Sequence, residues 1–149
     1  FILSNESLAG DYDITVLNID IETTAEVAGV AVTISNTTFV GDTFQVDVIF
    51  NTDGTYSASG QYRVVSTITP VGTAPITDTE IIVFSDSGSY SVNAVDDTIT
   101  FMAQGDPLLA GTFNVTVFNE TVVTLSQQVE ETIGDITSSI NMNLSLERK

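Results

Sequence analysis

The 149-residue chain has no cysteine, no histidine and no tryptophan, and its only basic residues are Arg63, Arg148 and Lys149. Without cysteine, neither a disulfide nor a thiolate metal site can hold the fold, so a hydrophobic core must; a chain of this length buries about two-thirds of its unfolded surface. Without histidine or cysteine the common nucleophile and base pairs are missing, and a lone lysine at position 149 gives a Ser-Lys arrangement no footing. Two carboxylates could in principle cleave a glycosidic bond, but 20 acidic residues supply such pairs at random. The chain is therefore expected to be no enzyme and to use no cofactor. No apolar run approaches the roughly 20 residues of a membrane helix, and the glycines fall at turns rather than in a phosphate-cradling loop.

Acidic residues outnumber basic ones 20 to 3, a formal charge of −17. Such a field repels phosphate backbones and anionic lipid surfaces, which argues against nucleic acid and against charge-driven membrane docking. Acidic turns at Asp53, Asp86, Asp96 and Asp97 offer oxygen ligands of the kind calcium takes. Their spacing is not that of an EF-hand, and aspartate is what such turns favour for backbone reasons, so no metal site is assigned.

What is abundant is Thr, Val, Ile and Ser, the composition of an all-β protein. The clearest stretch is Asp47 to Val65, DVIFNTDGTYSASGQYRVV, where two alternating runs flank Asn51-Thr52-Asp53-Gly54, a hairpin turn with Gly54 in the left-handed position. Pairing Asn51 with Thr55 sets Phe50 against Tyr56, Val48 against Ala58, Val46 against Gly60 and Phe44 against Tyr62. All the apolar members then share one face, and a one-residue slip would separate them.

In chain order, residues 1–10 form a polar lead-in and 11–149 a single β domain. Asp11 to Glu22 reads as a first strand whose apolar phase changes midway, which calls for a bulge or bend near Leu17 and Asn18. Val27 to Ile34 reads as a second strand, with a turn at Phe39 to Asp42 leading into the hairpin. The proline-bearing segment after Ile68 is a loop. Asp86-Ser87-Gly88 reads as a further turn pairing Ser85 with Ser89 and Phe84 with Tyr90. Asp96-Asp97 would then set Val92 against Phe101 and Ala94 against Ile99. A loop spans Gln104 to Gly111, and a turn at Asn119 to Thr121 pairs Val117 with Val123 and Val115 with Leu125. Finally Gly134-Asp135 closes a long hairpin in which Ile133 meets Ile136, Val129 meets Ile140 and Gln127 meets Met142.

Roughly eight to ten antiparallel strands joined by short turns make a meander, and closing it into an up-and-down barrel removes its edges. A two-sheet β-sandwich is the alternative.

LAGDYDI (Leu8 to Ile14), VIFNTDGTYSASG (Val48 to Gly60), the later SGSYSV and TITF stretches and the apolar strand ending at Arg148 together resemble the lipocalin-like domains of Bacteroidetes surface lipoproteins. Gly10-Asp11-Tyr12 stands where those domains open their first strand, and Phe50 to Tyr56 where they carry a middle hairpin. The resemblance implies a calycin-type barrel, exported to the cell surface or periplasmic face of a Gram-negative bacterium. It implies a lipid anchor on a cysteine upstream of Phe1 as the sole membrane attachment, and a small apolar ligand inside the barrel.

On the residues themselves, Phe44, Phe50, Tyr56, Tyr62, Phe84, Tyr90, Phe101 and Gln127 share the inward face and are the candidate ligand contacts. The competing reading is a structural or adhesive surface module whose interior those rings simply fill. Arg63 has outward parity, and Arg148 is expected to close one end by pairing with a carboxylate.

Overall fold

The computed structural model describes residues 2–103 and 108–149. After a four-residue helix, α1 (Asn5–Leu8), eight strands follow in sequence: β1 (Gly10–Val27), β2 (Val30–Phe50), β3 (Thr55–Pro70), β4 (Ile76–Asn93), β5 (Thr98–Ala103), β6 (Gly111–Phe118), β7 (Val122–Ile133) and β8 (Ile136–Arg148). Each pairs antiparallel with its neighbour, and β8 returns to β1, so the meander closes as a barrel and the sandwich is set aside.

The registers follow turn chemistry where the turn residues are unambiguous. Phe50 pairs with Tyr56, Val48 with Ala58 and Val46 with Gly60, as the Asp53-Gly54 turn requires. Asp53 holds that turn itself: its Oδ1 accepts from the Thr55 amide at 2.9 Å and the Thr55 hydroxyl at 2.6 Å. The last hairpin pairs Ile133 with Ile136, Val129 with Ile140 and Gln127 with Met142. The phase change in β1 is a bulge, with a register shift against β2 between Asp13 and Asn18.

Elsewhere the strands run through apparent punctuation. There is no separate strand over 27–34 and no turn at 39–42: the chain turns at Ala28-Gly29, both with positive φ (52° and 80°), and β2 then continues for 21 residues. Gly41 and Asp42 stay paired with Val64 and Arg63 of β3, and the irregularity is a bulge at Thr43-Phe44 rather than a turn, because the strand is held by β3 on either side of it. The glycine leaves room for the Phe44 ring, whose Cζ lies 2.9 Å from where a Cβ would stand.

Asp86-Ser87-Gly88 likewise is not a turn. Ser85 pairs with Ser59 and Ser89 with Thr55 on β3, and Phe84 pairs with Gly60, not Tyr90. Gly88 is needed because a Cβ there would collide with the Met102 carbonyl oxygen of β5, a close backbone approach that sequence alone does not distinguish from a turn. The following connection is longer than an Asp96-Asp97 turn: Asn93 Oδ1 accepts from the amides of Val95 and Asp96, and Val92 pairs with Ile99 and Tyr90 with Phe101. The register moves by two, which preserves the face. In the β6–β7 hairpin Val115 meets Leu125 as expected, but a bulge sets Phe118, not Val117, against Val123. The proline segment is the β3–β4 turn over residues 71–75. The loop expected over 104–111 lies partly outside the described residues; Leu109 within it is buried in the core.

The lead-in is structural rather than merely polar. Ser4 caps α1, its hydroxyl accepting from the Ser7 amide while the Ser7 hydroxyl accepts from the Ser4 amide. Leu3 before the helix and Leu8 at its end are buried with the barrel core. Arg148 fastens it, but through carbonyls and not a carboxylate. Its Nη1 donates to Ala9 O and its Nη2 to Ser7 O, each at 2.7 Å.

Strand lengths are unequal. β5 and β6 are short, and β4 meets β5 only over Gly88–Asn93. Among the described residues no strand pairs with β4 over 76–87 on that side, nor with β7 over 127–133 on the side of β6. The ring is therefore complete at the α1 end; beyond it β1–β4, β7 and β8 continue as an open trough.

Candidate functional site

Side chains alternate between the two faces of a strand, so paired registers identify which residues of the extensions continue the inner face. In the closed section that face is solid. Tyr12, Phe50, Tyr56, Tyr90, Phe101 and Phe113 are all buried. Phe50 is 5.2 Å edge-on to Tyr90, Tyr56 is 5.2 Å edge-on to Phe101, and Phe101 is 5.6 Å edge-on to Phe113. Such edge-to-face packing fills space and satisfies the ring quadrupoles. The hydroxyls are occupied as well: Tyr12 donates to Leu8 O at 2.7 Å, Tyr56 to Leu109 O at 3.3 Å and Tyr90 to Asn51 O at 2.5 Å. Burial raises the pKa of all four tyrosines, that of Tyr90 to about 12, with the Asp53, Tyr12 and Glu6 charges adding to it.

Four of the eight candidate residues, Phe50, Tyr56, Tyr90 and Phe101, thus belong to this plug. Phe44, Tyr62 and Phe84 stand above it. Phe44 stacks on Tyr62 at 5.9 Å despite the bulge beside it, and Tyr62 is edge-on to Phe84 at 5.9 Å. Phe44 and Phe84 are half-buried, and the Tyr62 hydroxyl makes no hydrogen bond among the described residues. Gln127 shares the inner face, but its amide donates to Ala110 O at 2.8 Å and to Thr112 O at 3.4 Å, tying β7 to the start of β6.

Above these rings the inner face remains apolar. Ile19 pairs with Phe39 and Met142, Ile21 with Ile140, and Tyr62 with Ile82, all in phase with the buried residues below them. The same phase continues to the rim through Val27 and Val30, Ile68 and Ile76, and Ile133 and Ile136. Ile76 is 62 % and Ile133 81 % exposed. The outer face of the same strands carries Asp20, Glu22, Thr38, Asn141 and Asn143. The sequence pairs Ile133 with Ile136 and Val129 with Ile140, but joining these residues with Ile19, Phe39 and Val30 into one face needs the Ala28-Gly29 turn and the β1 and β2 bulges to be placed.

Polar groups punctuate the trough. Asp78, Glu80 and Asp86 on β4 and Glu131 on β7 share the inner parity, opposite Ser66, Val64, Ala58 and Ser138. Asp86 accepts from the Leu108 amide at 2.8 Å. Register puts Asp86 and Glu80 on the same side of the sheet as Tyr62, whose hydroxyl is pushed up first by burial and then by their charges. The three cations lie elsewhere. Arg63 is exposed on the outer face in a bidentate pair with Asp42, 2.7 and 2.6 Å. Lys149, at the closed end, lies 2.7 Å from Asp47, 3.5 Å from Asp13 and 3.7 Å from Asp11.

Two surface clefts accompany the trough. One of about 360 Å³ is lined by Asp20, Glu22, Asn36, Thr38 and Asn141 on the outside of β1, β2 and β8, with Ile21 and Thr37. Another, of about 190 Å³, lies between the β1–β2 and β7–β8 tips. Neither enters the aromatic plug.

No protein-family model matches the chain, and no curated protein matches it. Two solved structures are similar to it: Ail, the attachment invasion locus protein of Yersinia pestis, in complex with the heparin analogue sucrose octasulfate, and the same protein alone. Both are 8 % identical over 95 % of this chain and 100 % of Ail, with TM-scores of 0.28 and 0.27. A likeness at that level bears on neither fold nor function.

Proposed function

We propose that this protein is a non-catalytic, lipocalin-like binding barrel that takes a small apolar ligand in the open trough, above its aromatic plug. The observation that supports this reading most is the continuation of inward-facing apolar side chains past the closed section. Ile19, Phe44, Val64, Ile82 and Phe84 pack on the core yet remain only partly buried. An apolar concavity left open to water is a site for an occupant. The binding surface therefore lies higher than the ring cluster read from sequence, with Phe44, Tyr62 and Phe84 as its floor and Phe50, Tyr56, Tyr90 and Phe101 as support.

The solid plug favours a second reading, a structural or adhesive module acting through its outer surface. A neutral naphthylamine probe separates the two. Saturable binding at one site, weakened at least about tenfold by Phe84→Asp or Ile82→Asp and unaffected by the outward-facing Val83→Asp, is the expected result. Probe binding that fails to saturate would leave the structural module.

Export to a Gram-negative cell surface through an upstream lipid anchor belongs to the same proposal. Metabolic labelling of the full gene product with an alkyne fatty acid, with protease digestion of intact cells, tests it directly.

A further inference from the structure

We infer that the trough selects amphipathic cations, molecules with an apolar body and an ammonium or guanidinium head, over fatty-acid-like anions. This rests on the trough being a ligand site. Its apolar surface sets the body of the ligand, and its charges set the head. Among the described residues, every group in phase with the trough lining that is charged at neutral pH is a carboxylate: Asp78, Glu80, Asp86 and Glu131. Asp86 is engaged by the Leu108 amide. Asp78, Glu80 and Glu131 are exposed and have no cationic partner among the described residues.

All three basic residues of the chain are committed elsewhere. Arg63 is on the outer face with Asp42, Arg148 fastens α1, and Lys149 is surrounded by Asp11, Asp13 and Asp47. A carboxylate ligand would bring its charge into a concavity with no counter-ion, where low-dielectric walls strengthen repulsion. An ammonium would meet the Glu80 side of the floor, next to the Tyr62 hydroxyl, which has no hydrogen bond among the described residues, and near the half-buried Phe84 ring, which also attracts cations.

The test uses the whole chain, the neutral naphthylamine probe, and displacement by dodecyltrimethylammonium or dodecyl sulfate below their micelle-forming concentrations. At low salt the cation is expected to displace the probe at least about tenfold more effectively than the anion, with the gap narrowing in high salt. In the triple variant Asp78→Asn, Glu80→Gln, Glu131→Gln, probe affinity is expected to hold while the preference falls to within about twofold. Equal displacement by the two detergents in the parent protein overturns the selectivity and leaves the binding barrel standing. A preference that survives in the triple variant also overturns it, because the rest of the −17 charge would then be responsible. Failure of the neutral probe and, by calorimetry, of the cation to bind overturns the ligand site itself.

Discussion

The Arg148 guanidinium lies 4.8 Å over the Tyr12 ring while its three nitrogens donate to the carbonyls of Ser7, Ala9 and Glu120. One side chain on the last strand thus joins α1, the first strand and the β6–β7 turn. The helix has no basic residue in its own last turn, so this cation from elsewhere satisfies the carbonyls that a helix end leaves free. Arg148→Ala should cost about 2–4 kcal/mol in urea unfolding, combining charged hydrogen bonds with a cation–π contact. Arg148→Lys should recover less than half, since a point charge cannot address several carbonyls in a plane.

The helix itself acts as a stopper. Leu8 is completely buried against the core. Leu8→Ala should destabilise by about 2–5 kcal/mol, the range for a large-to-small change in a packed core. Amide exchange in residues 5–12 should accelerate more than in the β7–β8 hairpin, because the loss is local to the closed end.

Two glycines with positive φ should differ in how much a side chain costs. At Gly60 (φ 138°) a Cβ would overlap the Gln45 carbonyl oxygen, whereas at Gly134 (φ 62°) nothing lies within 4 Å. Gly60→Ala must push β2 and β3 apart and should cost about 3 kcal/mol or more. Gly134→Ala meets only the left-handed backbone penalty, about 1–2 kcal/mol. Parallel thermal melts give the comparison.

Alkaline stability follows from the tyrosines. Burial raises Tyr90 from 10.0 to about 12, and raises Tyr12, Tyr56 and Tyr62 in the same direction. A phenol whose folded value lies above its unfolded one binds its proton more tightly when folded. Its stabilising effect is complete below pH 10 and is lost as pH rises through the folded value. Tyr90 alone then accounts for about 2–3 kcal/mol lost across that window, at 1.36 kcal/mol per unit. Tyrosinate absorbance should appear together with loss of β-sheet circular dichroism; phenols that titrate freely while the fold persists would contradict the buried plug.

How much of this was legible in the chain depends on the kind of signal. The Asp53-Gly54 and Gly134-Asp135 turns could be read with their registers, because both turn residues and the flanking alternation point to one geometry. Of the candidate contacts, Phe44, Tyr62 and Phe84 reached the trough floor; Phe50, Tyr56, Tyr90 and Phe101 went to the plug, and Gln127 to a backbone tie. Parity identifies a face but not the height along it, and height separated the two groups.

The sequence by itself determined an acidic all-β meander with its apolar face turned inward and with neither histidine nor cysteine, since composition and period-two alternation are local properties. The tertiary structure decided where strands continue and where they stop. Gly41 and Gly88 resemble turn residues, yet one makes room for Phe44 and the other for the Met102 carbonyl. Whether a glycine marks a turn or a close approach depends on what the neighbouring strand brings to it. The unequal strand lengths that leave a trough above the plug likewise exist only once all eight strands are paired.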